Sequence, residues 1–321
     1  MMRPLATLCS MALLCCVTTA HAQDYPNRPL RFVVPYPPGG ATDIIARTLS
    51  QKLYEELGQQ VIVDNRPGGG QILGTDIVAK APPNGYAILL ASVTHGINPG
   101  LIAKLPYDSL RDFTPISMVA TSPNVLVTNA RLPVKTVKEL ISLAKTHPGQ
   151  LNYASSGNGS GGHLAMELFR SMTGTVMTHV PYKGAGPALT DLIAGQVQLM
   201  FTSPLAALPH VRTGKLRVLG VGSSKRTEAA PELVTISEAG VPGFDAPLWY
   251  AILGPAGLPD DIVAKLNTSF KSILTMRDVR ERFSSNGVDS AWSTPTELAT
   301  HMGREVEKWR KVIQAAGIRP D

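Results

Sequence analysis

Residues 30–36 form a short apolar run rich in Val, followed by Pro37-Pro38-Gly39-Gly40 and then by Ile45, Leu49, Leu53 and Leu57 at a spacing of four. A continuous apolar run suits a strand covered on both faces, and the spacing of four places the later residues on one helical stripe that Gly58 closes. The unit then repeats. Residues 60–65 predict a second strand, Pro67-Gly68-Gly69-Gly70 a loop, Leu73, Ile77 and Val78 one face of a second helix, and residues 86–93 a third buried strand. Strands alternating with amphipathic helices through short loops predict a parallel sheet with helices on both faces.

After Pro123 the pattern restarts, with an extended segment at 125–129 and a capping box, Thr136-x-x-Glu139, opening a helix that ends at Pro148-Gly149. Residues 151–155 predict a strand, and Ser160 is placed to cap a helix carrying Leu164, Leu168 and Met172 before Gly174. Strands are expected at 176–180 and 197–202, separated by a helix with Pro187 near its start and Gly195 past its end, and again at 216–222.

Residues 240–255 are rich in Gly and Pro but contain an extended apolar stretch at 248–253, as expected if the chain crosses back to the first unit. A helix from about Pro259 and a long final helix, opened by Thr294-Pro295-x-Glu297 and ended by Gly317, would complete that unit. Leu298, Met302, Val306, Trp309 and Ile313 form the expected buried stripe of the last helix. The expected organisation is α/β with two lobes, each a mostly parallel sheet flanked by helices. The first domain is discontinuous, over residues 23–123 and 250–321, and the second covers 124–249.

The N-terminus reads differently. Arg3, an apolar stretch over residues 5–19 and Ala20-His21-Ala22 are the three parts of a secretory signal peptide, with cleavage expected after Ala22. Cys9, Cys15 and Cys16 all lie inside it, so the mature chain is expected to have no disulfide, catalytic thiol or Cys-based metal site. Leu14 before Cys15 is too bulky for a lipid-attachment site, which points to a free, exported protein. Of the 321 residues, 44% are hydrophobic, enough to bury a sizeable core. The formal charge is +6, but the basic residues are scattered and interleaved with acids, which argues against a nucleic-acid partner.

Gly157-Asn158-Gly159-Ser160-Gly161-Gly162 follows a predicted strand, opens a helix and matches the G-x-G-x-x-G dinucleotide fingerprint. The acid that should follow about 20 residues later to hold a ribose is missing, since 176–180 runs into Pro181-Tyr182-Lys183. What remains is physical: free backbone N–H groups and a positive helix end, which favour a small anion. Ser155, Ser156 and Ser160 add hydroxyls. Gly39-Gly40-Ala41-Thr42 has the same character, with Thr42 a candidate cap and Asp43 either a dipole partner or a ligand contact. One ligand held between two such loops is the expectation, and no cofactor is required. The histidines after residue 22 show no i, i+4 pair and no H-E-x-x-H, so no metal site is expected. His163 is expected to pack or cap behind its loop, Trp249 to line a cleft or join the core, and Trp292 and Trp309 to be core.

A series of motifs resembles the Bug/TctC family, the extracytoplasmic solute receptors of tripartite tricarboxylate transporters. They are Tyr25-Pro26-x-Arg28-Pro29, Val34-Pro-Tyr-Pro-Pro-Gly-Gly-x-x-Asp43, Asn65-Arg66-Pro-Gly-Gly-Gly70, Asn84-Gly85-Tyr86 and Tyr153-x-Ser-Ser-Gly-x-Gly-Ser160. His163-Leu164, Val180-Pro-Tyr-Lys-Gly184, Leu208-Pro-His210, Gly214-Lys215-Leu216 and Glu238-Ala-Gly-x-Pro-Gly243 follow in order, covering essentially the whole mature chain. The resemblance implies a type II periplasmic-binding-protein-like fold that closes on a small carboxylate as a Venus flytrap does. Carried over, one side of the site would be Tyr36, Gly39, Gly40, Ala41, Thr42 and Asp43. The other would be Ser155, Ser156, Gly157, Gly159 and Ser160 with the Tyr182-Lys183-Gly184 loop. Ser92, Val93 and Thr94 would complete the wall, with Gly70 and Gln71 at its margin and Trp249 on the crossover. Many members carry an acid where this chain has Met200-Phe201-Thr202-Ser203. Its absence points away from amino acids and toward a mono- or dicarboxylate, aliphatic or aromatic, with Thr202 and Ser203 as contacts.

The sequence thus reads as a periplasmic, monomeric binding protein that captures an organic carboxylate and delivers it to the membrane subunits of a transporter, without chemistry on the ligand. A sensor that docks on a receptor kinase shares every one of these features. A secreted hydrolase with Ser160 or Ser156 as nucleophile and His163 as base is the enzyme alternative. It is disfavoured because Ser160 and His163 share one helix start and no oriented acid follows.

Overall fold

The computed structural model describes residues 25–39, 41–227 and 231–318; the expected signal peptide and its cysteines, and Gly40, lie outside these. Eleven strands form two sheets among the described residues. The first unit runs β1 (Leu30–Val34), α1 (Ala41–Leu57), β2 (Val61–Asn65), a 3-10 turn, α2 (Ile72–Ala79), β3 (Ala87–Ser92), α3 (Val93–Leu101) and β4 (Phe113–Ser122). The second runs β5 (Val125–Asn129), α4 (Val137–Thr146), β6 (Asn152–Ser155), α5 (Gly161–Thr173), β7 (Thr178–Pro181), α6 (Ala185–Ala194), β8 (Leu199–Thr202), α7 (Pro204–Arg212) and β9 (Leu216–Val221). The chain then returns through β10 (Leu248–Pro255), α8 (Asp260–Thr275), α9 (Arg277–Ser285), β11 (Asp289–Ser290) and α10 (Pro295–Ala315).

The first sheet has the order β11-β4-β10-β3-β1-β2, and the second β7-β6-β8-β5-β9. The β1–β2–β3 and β6–β7–β8 pairings are parallel, as a strand–helix–strand rhythm requires. The crossover strand β10 and its neighbour β4 run antiparallel within the first sheet, as does β5 between β8 and β9, so both sheets are mixed rather than mostly parallel. Leu248 and Trp249, expected to close the second unit, pair instead with Ser122 and Thr121 of the first sheet. Sheet membership changes between Ser122 and Val125, and again between Val221 and Leu248. Asn124 ties the two crossings together: its Nδ2 donates to Ala246 O at 3.1 Å and its carbonyl accepts from Gly222 N at 2.6 Å.

Two faces per sheet follow from the period of two along a strand. Leu30, Phe32 and Val34 pack with α1, α8 and α9, while Val33 faces the opposite way with residues of α2, α3 and α10. In the second sheet Val125 and Val127 meet Leu192 of α6 and Ala207 of α7, and Leu126 and Phe201 join Leu164 and Phe169 of α5. One apolar cluster runs through both units by way of Phe244, Trp249 and Trp309. Trp249 and Trp309 are 1% exposed and both donate their indole N–H to Glu305 Oε2 at 2.9 Å. Trp292 is only half-buried, with the Lys271 ammonium 4.4 Å above its ring.

The capping signals act where expected. Thr136 accepts from Glu139 N, Ser160 from His163 N, and Thr294 and Glu297 form a complete capping box. Leu298, Met302, Val306, Trp309 and Ile313 are all buried on α10. No helix among the described residues is long and apolar enough to cross a membrane.

Candidate functional site

A cleft of about 820 Å³ opens between the sheets. Tyr36, Ala41, Thr42, Ser92, Val93 and Thr94 line it from the first unit, and Ser156, Gly157, Gly159, Ser160, Thr202 and Ser203 from the second. Gly70 and Gln71, at the margin of the expected wall, are also there. The structure adds Asn98, Asn124 and Asn158, and an apolar set including Leu101, Ile102, Phe201 and Leu248.

Six helices present their first residues or caps to this space: α1 through Ala41 and Thr42, α2 through Gln71, α3 through Ser92 to Thr94, α5 through Ser160 to Gly162, α6 through Ala185 and α7 through Ser203. Each N-terminus carries unpaired N–H groups and about half a positive charge. Among the described residues, no Asp, Glu, Lys, Arg or His lines the cleft. Each of these helix starts therefore turns a positive end to the cleft, with no positive side chain in its described lining.

On the first-unit wall Tyr36 and Ser92 join hydroxyls at 2.5 Å, Ser92 donates to Gln71 Oε1 at 3.3 Å, and Asn98 Nδ2 donates to Gly70 O at 3.0 Å. Burial pushes the Tyr36 phenol above its ordinary range despite hydrogen bonds to Ser92, Thr94 and Gln71, so it stands as an uncharged hydroxyl. Gln71 has φ 77°, in the left-handed region, a conformation held by the glycine turn before it.

Several expected contacts lie elsewhere. Asp43 is 5% exposed and accepts from Gly39 N at 3.0 Å, Arg47 Nε at 2.9 Å and Asn65 Nδ2 at 3.1 Å, so it braces its loop from behind. Burial would raise its pKa, but the bonds from Arg47, Gly39 and Asn65 together hold it below the usual carboxylate range. Ser155 is fully buried, with its Oγ 2.6 Å from His179 Nε2. Tyr182, Lys183 and Gly184 stand outside the cleft lining, which the chain reaches only at Ala185. The Tyr182 hydroxyl is drawn to Asp191 at 2.7 Å, and Gly184 N supports Ser156 O at 3.2 Å. Trp249 faces the core while its neighbours Leu248 and Tyr250 line the cleft, the alternation a strand imposes. The Ser160–His163 dyad does not form: His163 Nδ1 accepts from Gly159 N at 3.1 Å and the ring lies 3.9 Å from that of His179.

Residues 45–318 match the sequence profile of the TctC family, the tripartite tricarboxylate transporter family receptor. Over 300 residues the chain is 38% identical to the protein BugT of Bordetella pertussis, covering 93% of this chain and 92% of BugT. The structure of R. palustris Rpa4515 with adipate superposes with a TM-score of 0.82 at 37% identity, covering 93% of this chain and all of that one. MatC (Rpa3494) from Rhodopseudomonas palustris with bound malate gives a TM-score of 0.77 at 33% identity, covering 90% and 100%. The chain belongs to the TctC family, periplasmic solute-binding receptors of the tripartite tricarboxylate transporter type.

Proposed function

We propose that this protein captures a small organic carboxylate in the cleft between its two units and delivers it to the membrane subunits of a tripartite tricarboxylate transporter. The observation that carries the reading is the convergence of six helix N-termini on a cleft whose described lining has no charged side chain. Such a site attracts an anion through backbone N–H groups and hydroxyls. Its described lining offers no carboxylate to pair with an ammonium, because Met200, Phe201, Thr202 and Ser203 line it without an acid. Adipate and malate in two relatives support the ligand class.

The ligand is a mono- or dicarboxylate rather than an amino acid, and the protein acts as a monomer exported to the periplasm after cleavage behind Ala22. The units, expected as 23–123 with 250–321 and 124–249 but with Leu248 and Trp249 in the first sheet, close on it by rotation at the two crossings near Asn124 and Ala246, a population shift driven by contacts that only the closed form makes. Binding proceeds without chemistry on the ligand.

The test is a thermal-shift series on the mature protein, refolded to remove carried-over ligand, against adipate, malate, aromatic acids, tricarboxylates and amino acids. A ligand selective for the folded state raises the melting temperature with concentration. A saturable rise with one carboxylate class, and none with amino acids, is expected. Stabilisation by amino acids alone would refute the reading.

A further inference from the structure

The loop between β6 and α5 shows one side to the cleft through Ser156, Gly157, Asn158, Gly159 and Ser160. Behind it lie two imidazoles with ring centroids 3.9 Å apart and planes 9° from parallel: His163 in the first turn of α5 and His179 on β7. The Tyr153 ring extends the stack, 4.8 Å from that of His179 at 18°. Its hydroxyl donates to Glu167, which is paired with Arg170 at 2.5 Å.

Each histidine holds one end of the loop. His163 Nδ1 accepts from Gly159 N at 3.1 Å, so that nitrogen carries no proton and the ring is neutral, protonated on Nε2. At the other end Ser155 Oγ donates to Gly157 O at 3.0 Å. The same oxygen accepts from Gly157 N at 3.2 Å and lies 2.6 Å from His179 Nε2; with the hydroxyl proton on Gly157 O, the Nε2–H tautomer of His179 is the donor. A proton added to either ring would meet the other ring face to face, with His163 buried and His179 half-buried. Burial first, with the neighbouring His179 and Arg170, holds His163 down to about 3; burial first, with Arg170 adding and Glu167 opposing, holds His179 down to about 4.

We propose that His163 and His179 are positioning residues of the ligand site, one stacked and uncharged pair that clamps both ends of the 155–160 loop so that its cleft-facing groups meet the ligand already ordered. Neither imidazole lines the cleft; both act through Ser155, Gly157 and Gly159. What the loop binds rests on the carboxylate reading above, whereas the clamp is a property of the unliganded chain. A loop fixed in advance loses less conformational freedom on binding, which is where the gain in affinity arises.

Two readouts test this on the mature chain. Ring-¹⁵N spectra of the unsubstituted protein at pH 7 should show both histidines neutral, with His163 protonated on Nε2; a charged ring, or an Nδ1–H tautomer at His163, overturns the proposal. In variants, His163→Phe and His179→Phe keep the stack and remove the nitrogens, whereas His163→Asn and His179→Gln return a polar atom near the original one. The Phe variants should speed amide exchange at Gly157 or Gly159 by at least about tenfold and weaken adipate or malate binding about tenfold. His163→Asn and His179→Gln should recover most of the protection. Phe variants that match the unsubstituted protein, or Asn and Gln variants as impaired as Phe, would show that the rings only fill space. If no carboxylate binds the unsubstituted protein yet the exchange pattern holds, the carboxylate reading fails and the clamp stands.

Discussion

The two loops that face each other across the cleft, 35–43 and 155–160, present helix starts to the same space but are supported by opposite means. Behind the first, the Asp43 carboxylate gathers the Gly39 amide, Asn65 and the Arg47 guanidinium, whose side chain is 53% exposed. Behind the second, two neutral imidazoles hold Ser155 and Gly159. Where one partner reaches water, an ion pair is a workable brace. Between β6, β7 and α5 a charge on either ring would be desolvated against the other, so the contacts to the loop use uncharged donors and acceptors, and formal charge stays further back, in the Glu167–Arg170 pair behind Tyr153. Both solutions keep formal charge out of the described cleft lining.

Acid should separate the two loops most strongly. The unfolded chain takes up a proton at each histidine near pH 6.5, which the folded chain resists until about 4 at His179 and His95 and about 3 at His163. The stability these neutral rings contribute is complete above pH 6.5 and is lost as the pH falls toward 4, by up to about 1.4 kcal/mol per pH unit for each ring. Urea unfolding at pH 7, 6 and 5 measures the slope. The double variant His163→Asn, His179→Gln should flatten it to what His95 and His301 leave. Asp43 acts in the other window, since its lowered pKa is lost as a stabilising factor only as pH falls below the ordinary carboxylate range.

Added volume should come next. A Cβ at Gly162 would sit 2.5 Å from the backbone oxygen of Phe201, so Gly162→Ala should cost about 1–3 kcal/mol in urea unfolding and weaken carboxylate binding. On the other loop nothing lies within 4 Å of a Cβ at Gly39, whose φ of 92° alone opposes a side chain, so Gly39→Ala should cost only about 1 kcal/mol. Asp43→Ala removes an acceptor shared by three donors, of which Asn65 Nδ2 keeps its bond to Tyr36 O. A loss of about 1–2 kcal/mol is expected by the same measurement, with a fall in affinity by calorimetry. The smallest effect belongs to Lys183→Ala. Because Lys183 is outside the cleft lining, carboxylate affinity should stay within about twofold, and loss of binding would show that an ion pair dominates instead.

Legibility followed the range of the interactions. The caps at Thr136, Ser160 and Thr294 and the stripe on α10 involve residues three or four apart, and the structure forms them as the sequence indicates. The strand Phe113–Ser122 was not legible, because Pro115 interrupts it; the strand survives by pairing with β10 on one side and β11 on the other. Helix Val93–Leu101 contains Gly96, Asn98, Pro99 and Gly100, all poor helix formers, and is held by tertiary packing against α10 and the Ser92 cap. Helix Pro204–Arg212 has Pro209 inside it and was hidden for the same reason.

By itself the sequence determined that two α/β units would form, where most helices begin, and that Ser- and Gly-rich loops would stand at helix starts, because hydrophobic period, capping and glycine turns act over a few neighbouring residues. Only the tertiary structure decided which residues of those loops face the cleft. It turned Asp43, Ser155 and Trp249 to the rear, left Tyr182 and Lys183 aside, and brought Asn98, Asn124 and Leu248 into the lining. That choice depends on how the two sheets are set against each other by β10, α10 and the paired crossings, and on which buried polar atom must find a partner far along the chain.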